Sequence, residues 1–494
     1  MTAFAVSGET YDIVIRNARI VDGTGAPWYR GEIAINGDTI VRIDRSIDGT
    51  ASKTIDARDA VVAPGFIDLH THARRGIFET PSAENYVRQG ATTLFEGPDG
   101  SSPVPLRDFF DRLEKTGIAV NMAAFIGQGS VRQRVLGSVD RKATPEELAT
   151  MKGLVRQAME QGAFGISTGL FYAPGTFTPT EEVVELARVA GSMGGIHTSH
   201  MRDEAAKVAD SVRETIRIGE EGRLPTHVTH HKVAGVRNWG KSVETLQLID
   251  EARRRGVDIT SDQYPYTASK TGLQALLPRW ALEGGRKGIL ERLRDGAARA
   301  RIKAAVIENI RFDRGGGDPK NVQIASSSSD PSLAGKTLAE ITRARGLEPT
   351  VENPAEIAMA LLEEGEVGAI YHTMSEDDVI RILRHPATMI ASDGEIPLFG
   401  KDAPHPRSYG TFPRVLARYV REKNVLPLED AVRKMTSMPA QRVGLHDRGI
   451  LRPGMKADIA IFDPAAITDK ATFERPHQYA EGVSHVLVNG IFVL

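Results

Sequence analysis

Five places in this sequence could send metal-binding side chains to one point: the pair His70-Thr71-His72, then Glu96, His200, His230 and Asp393. Each closes a short apolar run of β-forming residues. Residues two apart on a strand share a face, so the two imidazoles of the pair can reach one cation. A lone His-x-His says little. Histidine recurring at two further run ends, with acidic residues at two more, points to a site for one or two divalent ions. Imidazole and carboxylate ligands suit zinc, with an open position for water.

Such convergence needs a scaffold that gathers strand ends. The apolar runs lie at 61–68, 92–96, 120–126, 164–168, 195–200, 227–230, 257–262 and 388–393. Helical patterns at 146–161, 181–193 and 243–255 alternate with them. Repeated strand–helix alternation argues for an α/β fold with a parallel sheet, and eight strands predict a (β/α)8 barrel. Active sites in such barrels sit at the C-terminal strand ends, where these five places fall. A ninth run at 367–371 competes for eight places, so one of the nine lies outside the barrel.

Both ends of the chain are β-rich, with Gly37-Asp38 and Asn489-Gly490 as turn signals. This predicts a small β-sandwich from residues 1–62 and 441–494 around a barrel at 63–440. Residues 282–366 break the strand–helix rhythm and read as an inserted subdomain or lid before the last strand, with mobile loops at Gly315-Gly316-Gly317 and 326–329.

Composition removes several classes of function. Lysine and arginine number 62 against 64 aspartates and glutamates, so there is no basic excess for nucleic acid. No run of about 18 apolar residues offers a membrane span. Residues 1–10 lack the basic and apolar regions of a signal peptide, and the cytoplasm is the expected compartment. Cysteine is absent, which excludes disulfides, thiolate ligands and a cysteine nucleophile. Gly165-Ile166-Ser167-Thr168-Gly169 fits the Gly-x-Ser-x-Gly pattern of serine hydrolases, but a loop follows it where that motif needs a helix. His227 and His231 read as packed core residues.

The chain resembles the amidohydrolase superfamily and, within it, the D-aminoacylases (N-acyl-D-amino-acid deacylases). The resemblance rests on Pro64-Gly65-Phe66-Ile67-Asp68 with the histidine pair, Ser167-Thr168-Gly169-Leu170 and Ser199-His200-Met201-Arg202-Asp203-Glu204. It extends through Thr229-His230-His231-Lys232, Tyr264-Pro265-Tyr266, Ser392-Asp393-Gly394 and the stretch from His405 to Arg414. It implies a metal-bearing barrel, a composite β-sandwich and hydrolysis of N-acyl-D-amino acids. In the best-known members a metal-binding cysteine ends the second strand. Here that place reads Phe95-Glu96-Gly97-Pro98-Asp99-Gly100. Glu96 is the expected ligand, able to bridge two cations, with Asp99 past the strand end as the substitute.

On this reading Asp393 is both a ligand and the general base and acid. The substrate is a small N-acyl amino acid whose free carboxylate needs a cation, for which Arg407 and Lys232 are the candidates. Tyr172 and Tyr264 add hydrogen bonds, as residues of these motifs do in the family. Two alternatives stay open: hydrolysis of a cyclic or xenobiotic amide, and a catalytically silent binding protein on the same fold.

Overall fold

The computed structural model describes residues 9–494. Residues 1–8 of the expected sandwich, and most of the stretch read for a signal peptide, lie outside the described residues.

Eight parallel strands form the barrel. They are Phe66–Asp68, Ala91–Glu96, Asn121–Ala124 (continued by Ile126–Gly127), Gly165–Gly169, Ile196–His200, Thr226–Val228, Ile259–Gln263 and Thr388–Ile390. The ring closes just beyond the first and last strands. There the Asp393 N–H donates to the His70 carbonyl at 2.8 Å and the His72 N–H to the Gly394 carbonyl at 2.7 Å. Apart from the half-buried Asn121–Ala124, the strands are short and buried along their length, as expected where side chains pack on both faces of a parallel sheet. Ile67, Leu69, Phe95, Phe125, Ile196 and Met389 meet in one apolar cluster.

The helices begin where local chemistry dictates. In Pro145–Glu160 the Thr144 hydroxyl accepts from the Glu147 N–H, the Glu147 carboxylate accepts from the Thr144 N–H, and Pro145 occupies the first turn. Thr180–Ser192, Val208–Gly222, Ser242–Arg254 and Glu376–Arg384 are further helices that cover the barrel. No helix among the described residues is long and apolar enough to cross a membrane.

Strands from both ends of the chain share one eight-stranded sheet, in which Val61–Pro64 pairs with Ile459–Phe462 and with Thr10–Ile20. Ile40 and Leu487, from strands far apart in the sheet order, pack in one cluster with Ile15, Ile33 and Ile459. The sheet therefore curls over a shared core.

Between the seventh and eighth barrel strands sits a separate antiparallel sheet. Its central strand is Val367–Tyr371, flanked by Ser269–Gly272 and Val322–Ser327. The ninth run thus belongs to this excursion, which spans 269–371 and is wider than the 282–366 read from composition. Ser326 and Ser327 lie in a strand and not in a loop. Helices Gly285–Arg294, Gly296–Phe312, Leu338–Ala344 and Glu352–Glu364 complete the unit around its own apolar core.

Candidate metal centre and active site

Six side chains converge at the C-terminal mouth of the barrel. His70, His72, Asp99 and Asp393 form one group, and Asp99, His200 and His230 form another. Asp99 belongs to both. Its Oδ2 lies 3.4 Å from His70 Nε2 and 3.4 Å from His72 Nε2. Its Oδ1 lies 3.4 Å from His230 Nε2 and 3.6 Å from His200 Nδ1. Asp393 Oδ1 completes the first group at 3.1 Å from His72 Nε2 and 3.5 Å from His70 Nε2.

Three of the six stand in the left-handed backbone region: Asp99 at φ 56°, His230 at φ 36° and Asp393 at φ 52°. Non-glycine residues avoid that region at a cost of about 1–3 kcal/mol, unless their surroundings over-determine it. Here they do. The Asp262 carboxylate accepts from the His230 N–H at 2.5 Å, and Asp393 is tied to the first strand through His70. These turns bring strand-end residues back over the barrel mouth.

The donors fit divalent cations. Ligands of a tetrahedral ion with bonds of about 2.0–2.1 Å lie roughly 3.3 Å apart, close to the separations within each group. The fully buried His70 ring has no hydrogen-bond partner at either nitrogen, and Asp99 Oδ1 is likewise buried without one. Buried polar atoms normally have partners, so His70 Nε2 and Asp99 Oδ1, which face one another's group, fit a shared cation. His200 Nδ1 and His230 Nε2 approach to 2.7 Å, a hydrogen-bond distance at which one proton is shared between the two imidazoles.

Other residues aim the donors. Glu204 Oε1 lies 3.1 Å and Lys232 Nζ 2.7 Å from His230 Nδ1, and together they fix the ring with its Nε2 toward the cluster. Lys232 holds Glu204 at 2.5 Å. Burial alone would raise the Glu204 pKa, but Lys232, His200 and His230 outweigh it and hold the carboxyl well below the usual range. Glu204 lay in a motif noted in the sequence, yet nothing there marked its role. The same balance holds for Asp393: burial opposes the charge, and Arg407, at 2.7 Å from Oδ2, and His70 keep it ionised.

Glu96 is not part of the cluster, which corrects the expectation for the second strand. Its Oε2 accepts from the Arg74 N–H at 2.9 Å, and its Oε1 lies 3.5 Å from Arg74 Nε. The physical reason is the strand end. Glu96 is its last residue, and its Oε2 is held by the segment after the first strand, while the chain runs three residues on to Asp99. Glu96→Gln should therefore leave metal content unchanged by elemental analysis. It should lower the melting temperature, because a weakened buried hydrogen-bond partner costs about 1–3 kcal/mol.

The remaining expected residues all line one cavity of about 1650 Å³ above the cluster: Tyr172, Lys232, Tyr264 and Arg407. Arg407 is already paired to Asp393, and its guanidinium lies 4.7 Å from the centre of the Tyr264 ring. The Tyr172 ring is 4.5 Å from that of His200, and its hydroxyl accepts from Thr271 at 3.1 Å. Ser167 is fully buried, donating to the Gly97 carbonyl at 2.5 Å and accepting from the Gly100 N–H at 3.1 Å, so it is a structural tie and no nucleophile. His227 bonds Asp262 and Thr260, each at 2.7 Å, and His231 bonds Thr245 at 2.9 Å, all in the core.

Fold and site together define a barrel protein built to hold divalent cations at its mouth. Residues 53–494 match the amidohydrolase family, and the chain belongs to it. The D-aminoacylase of Alcaligenes xylosoxydans xylosoxydans is 36% identical over 505 residues, covering 98% of this chain and 94% of that protein. The crystal structure of N-acyl-D-glutamate deacylase from Bordetella bronchiseptica, complexed with zinc and a phosphonate mimic of the tetrahedral intermediate, matches with a TM-score of 0.84. It is 34% identical, covering 98% of this chain and 97% of that one. A D-aminoacylase structure described for its binuclear metal centre, with one-metal activation and second-metal attenuation, matches with a TM-score of 0.82. It too is 34% identical, covering 98% of this chain and 96% of that one.

Proposed function

We propose that this protein hydrolyses the amide bond of N-acyl-D-amino acids, with zinc as its cation. The observation that carries the reading is the pair of donor groups sharing Asp99, with an ionised Asp393 at their edge. The deacylase activities of its relatives support the substrate class, and the preference for the D enantiomer rests on them alone. His70, His72, Asp99 and Asp393 would hold one ion, and Asp99, His200 and His230 a second. A bound divalent ion supplies a water of lowered pKa and polarises the scissile carbonyl.

The chain's own residues do the rest. Asp393 takes a proton from the attacking water and hands it to the departing nitrogen. Arg407 keeps Asp393 ionised and oriented with one nitrogen. No other partner of its guanidinium is found among the described residues, so its remaining N–H groups are available to the substrate's α-carboxylate. Lys232, two residues from His230, adds positive charge on the same side. Tyr172 and Tyr264 close the cavity wall beside them.

The test is hydrolysis of paired N-acetyl-D- and N-acetyl-L-amino acids by protein stripped with a chelator and then reloaded with zinc. Turnover should vanish on stripping, return on reloading and favour the D series. Activity unchanged by complete metal removal would overturn the reading.

A further inference from the structure

The stretch Gly165-Ile166-Ser167-Thr168-Gly169 supplies no nucleophile, yet its central hydroxyl is bonded to the turn that carries Asp99, the residue common to both donor groups.

That turn is unfavourable backbone. Gly97, Asp99 and Gly100 stand at φ 83°, 56° and 72°. Glycine adopts such angles freely, but aspartate does so at a cost, and the strain persists only where the surroundings hold it. Two of the turn's polar groups are tied by backbone. The Pro98 carbonyl accepts from the Ser101 N–H at 3.1 Å, and the Gly100 carbonyl from the Ser130 N–H at 3.0 Å. The Gly97 carbonyl and the Gly100 N–H, on either side of Pro98-Asp99, both bond the Ser167 hydroxyl, at 2.5 Å and 3.1 Å. One hydroxyl donates and accepts at once, so Ser167 spans the turn across Asp99. It is fully buried, and water does not compete for either bond.

The same stretch makes room for the turn. Ser167 and Gly169 are two apart on their strand and share a face. A Cβ on Gly169 would stand 2.0 Å from the Asp99 carbonyl oxygen. A Cβ on Gly127, at the end of the third strand, would stand 2.5 Å from the Gly100 carbonyl carbon. The turn is bedded against two neighbouring strand ends, and Ser167 fastens both of its sides there. The other two left-handed donors are held through their own N–H groups, His230 by Asp262 and Asp393 by the His70 carbonyl. Asp99 is held from its flanks.

Its placement matters because each oxygen serves a different group. Oδ2 stands 3.4 Å from His70 Nε2 and Oδ1 stands 3.4 Å from His230 Nε2. Donors must be held within about 0.5 Å of their working geometry, and a shift of the turn toward one group withdraws Asp99 from the other.

We propose that Ser167 is a positioning residue of the metal centre: its hydroxyl fixes the Gly97–Gly100 turn so that Asp99 reaches both donor groups at once. The inference rests on the reading of Asp99 as a shared ligand and is independent of the substrate.

Zinc affinity, by competition with a chelator, and the rise in melting temperature on adding zinc are measured for Ser167→Ala, Thr168→Val and Asp99→Asn. Thr168 is the control. It is fully buried, and its hydroxyl bonds His197 at 2.9 Å and no part of the turn. Both hydroxyl losses should lower the melting temperature of the zinc-free protein. Ser167→Ala should in addition weaken zinc binding by about tenfold to a hundredfold, the usual cost of losing a group that orients a ligand. The zinc-induced rise in melting temperature should shrink with it. Thr168→Val should keep its zinc affinity within about threefold, since it orients no donor. Unchanged affinity in Ser167→Ala, or an equal loss in Thr168→Val, overturns the proposal. If Asp99→Asn binds zinc as the unaltered protein does, the shared-ligand reading has failed and the proposal with it; a loss in Asp99→Asn alone overturns only the role of Ser167. Should Ser167→Ala not fold, Ser167→Cys, whose thiol makes both bonds weakly, is judged by the same outcomes.

Discussion

Asp393→Asn should lower turnover by about 10²–10⁴-fold, the usual contribution of a positioned general base and acid. Asparagine keeps the oxygen that stands 3.1 Å from His72 Nε2, so metal content should change little. It cannot accept and return a proton. The variant also leaves Arg407, 3% exposed, without its carboxylate, which should reduce stability by a few kcal/mol. Turnover is therefore compared per folded, metal-loaded molecule, with metal measured by elemental analysis and folding by circular dichroism. Near-normal turnover on that basis would remove Asp393 from the mechanism.

Asp99→Asn should cost metal binding as well as activity. Asp99 is the one residue common to both donor groups, each carboxylate oxygen serving one of them. Asparagine tolerates the left-handed backbone at φ 56° better than alanine would, so the backbone turn is kept. It offers one carbonyl oxygen and no charge, and can serve one group only. Metal stoichiometry after desalting should fall to one ion or fewer per chain, and affinity by at least about a hundredfold, since even outer-shell losses cost 10–100-fold. Activity should fall with metal content and recover in part at high zinc. Asp99→Cys should restore binding with a preference for zinc, the thiolate being the softer ligand. Full stoichiometry in the asparagine variant would show that Asp99 does not bridge.

Much of the architecture was legible in the sequence because a parallel barrel is assembled from local units. Each strand and the helix after it are near neighbours in the chain, so short apolar runs and helical periodicity located all eight barrel strands. Helices read at 146–161, 181–193 and 243–255 shifted by a single residue at each end. His70, His72, His200, His230 and Asp393 could be picked out for the same reason. They end strands or follow them within four residues, and the strand ends of this fold open on one mouth.

The tertiary structure decided whatever depends on partners distant in the chain. Val367–Tyr371 has the pattern of a barrel strand, but its neighbours at 269–272 and 322–327 draw it into an antiparallel sheet. The sequence favoured Glu96, at the strand end, over Asp99 three residues on. Only the contact of Glu96 with Arg74 and the left-handed turn at Asp99 settle which carboxylate reaches the donor cluster. Arg407 could be named as a cation near a strand end, whereas its pairing with Asp393 needed both segments in place. Sequence periodicity records which face of an element is buried. It does not record the path of the chain after the element ends, and in this fold the chemistry sits on that path.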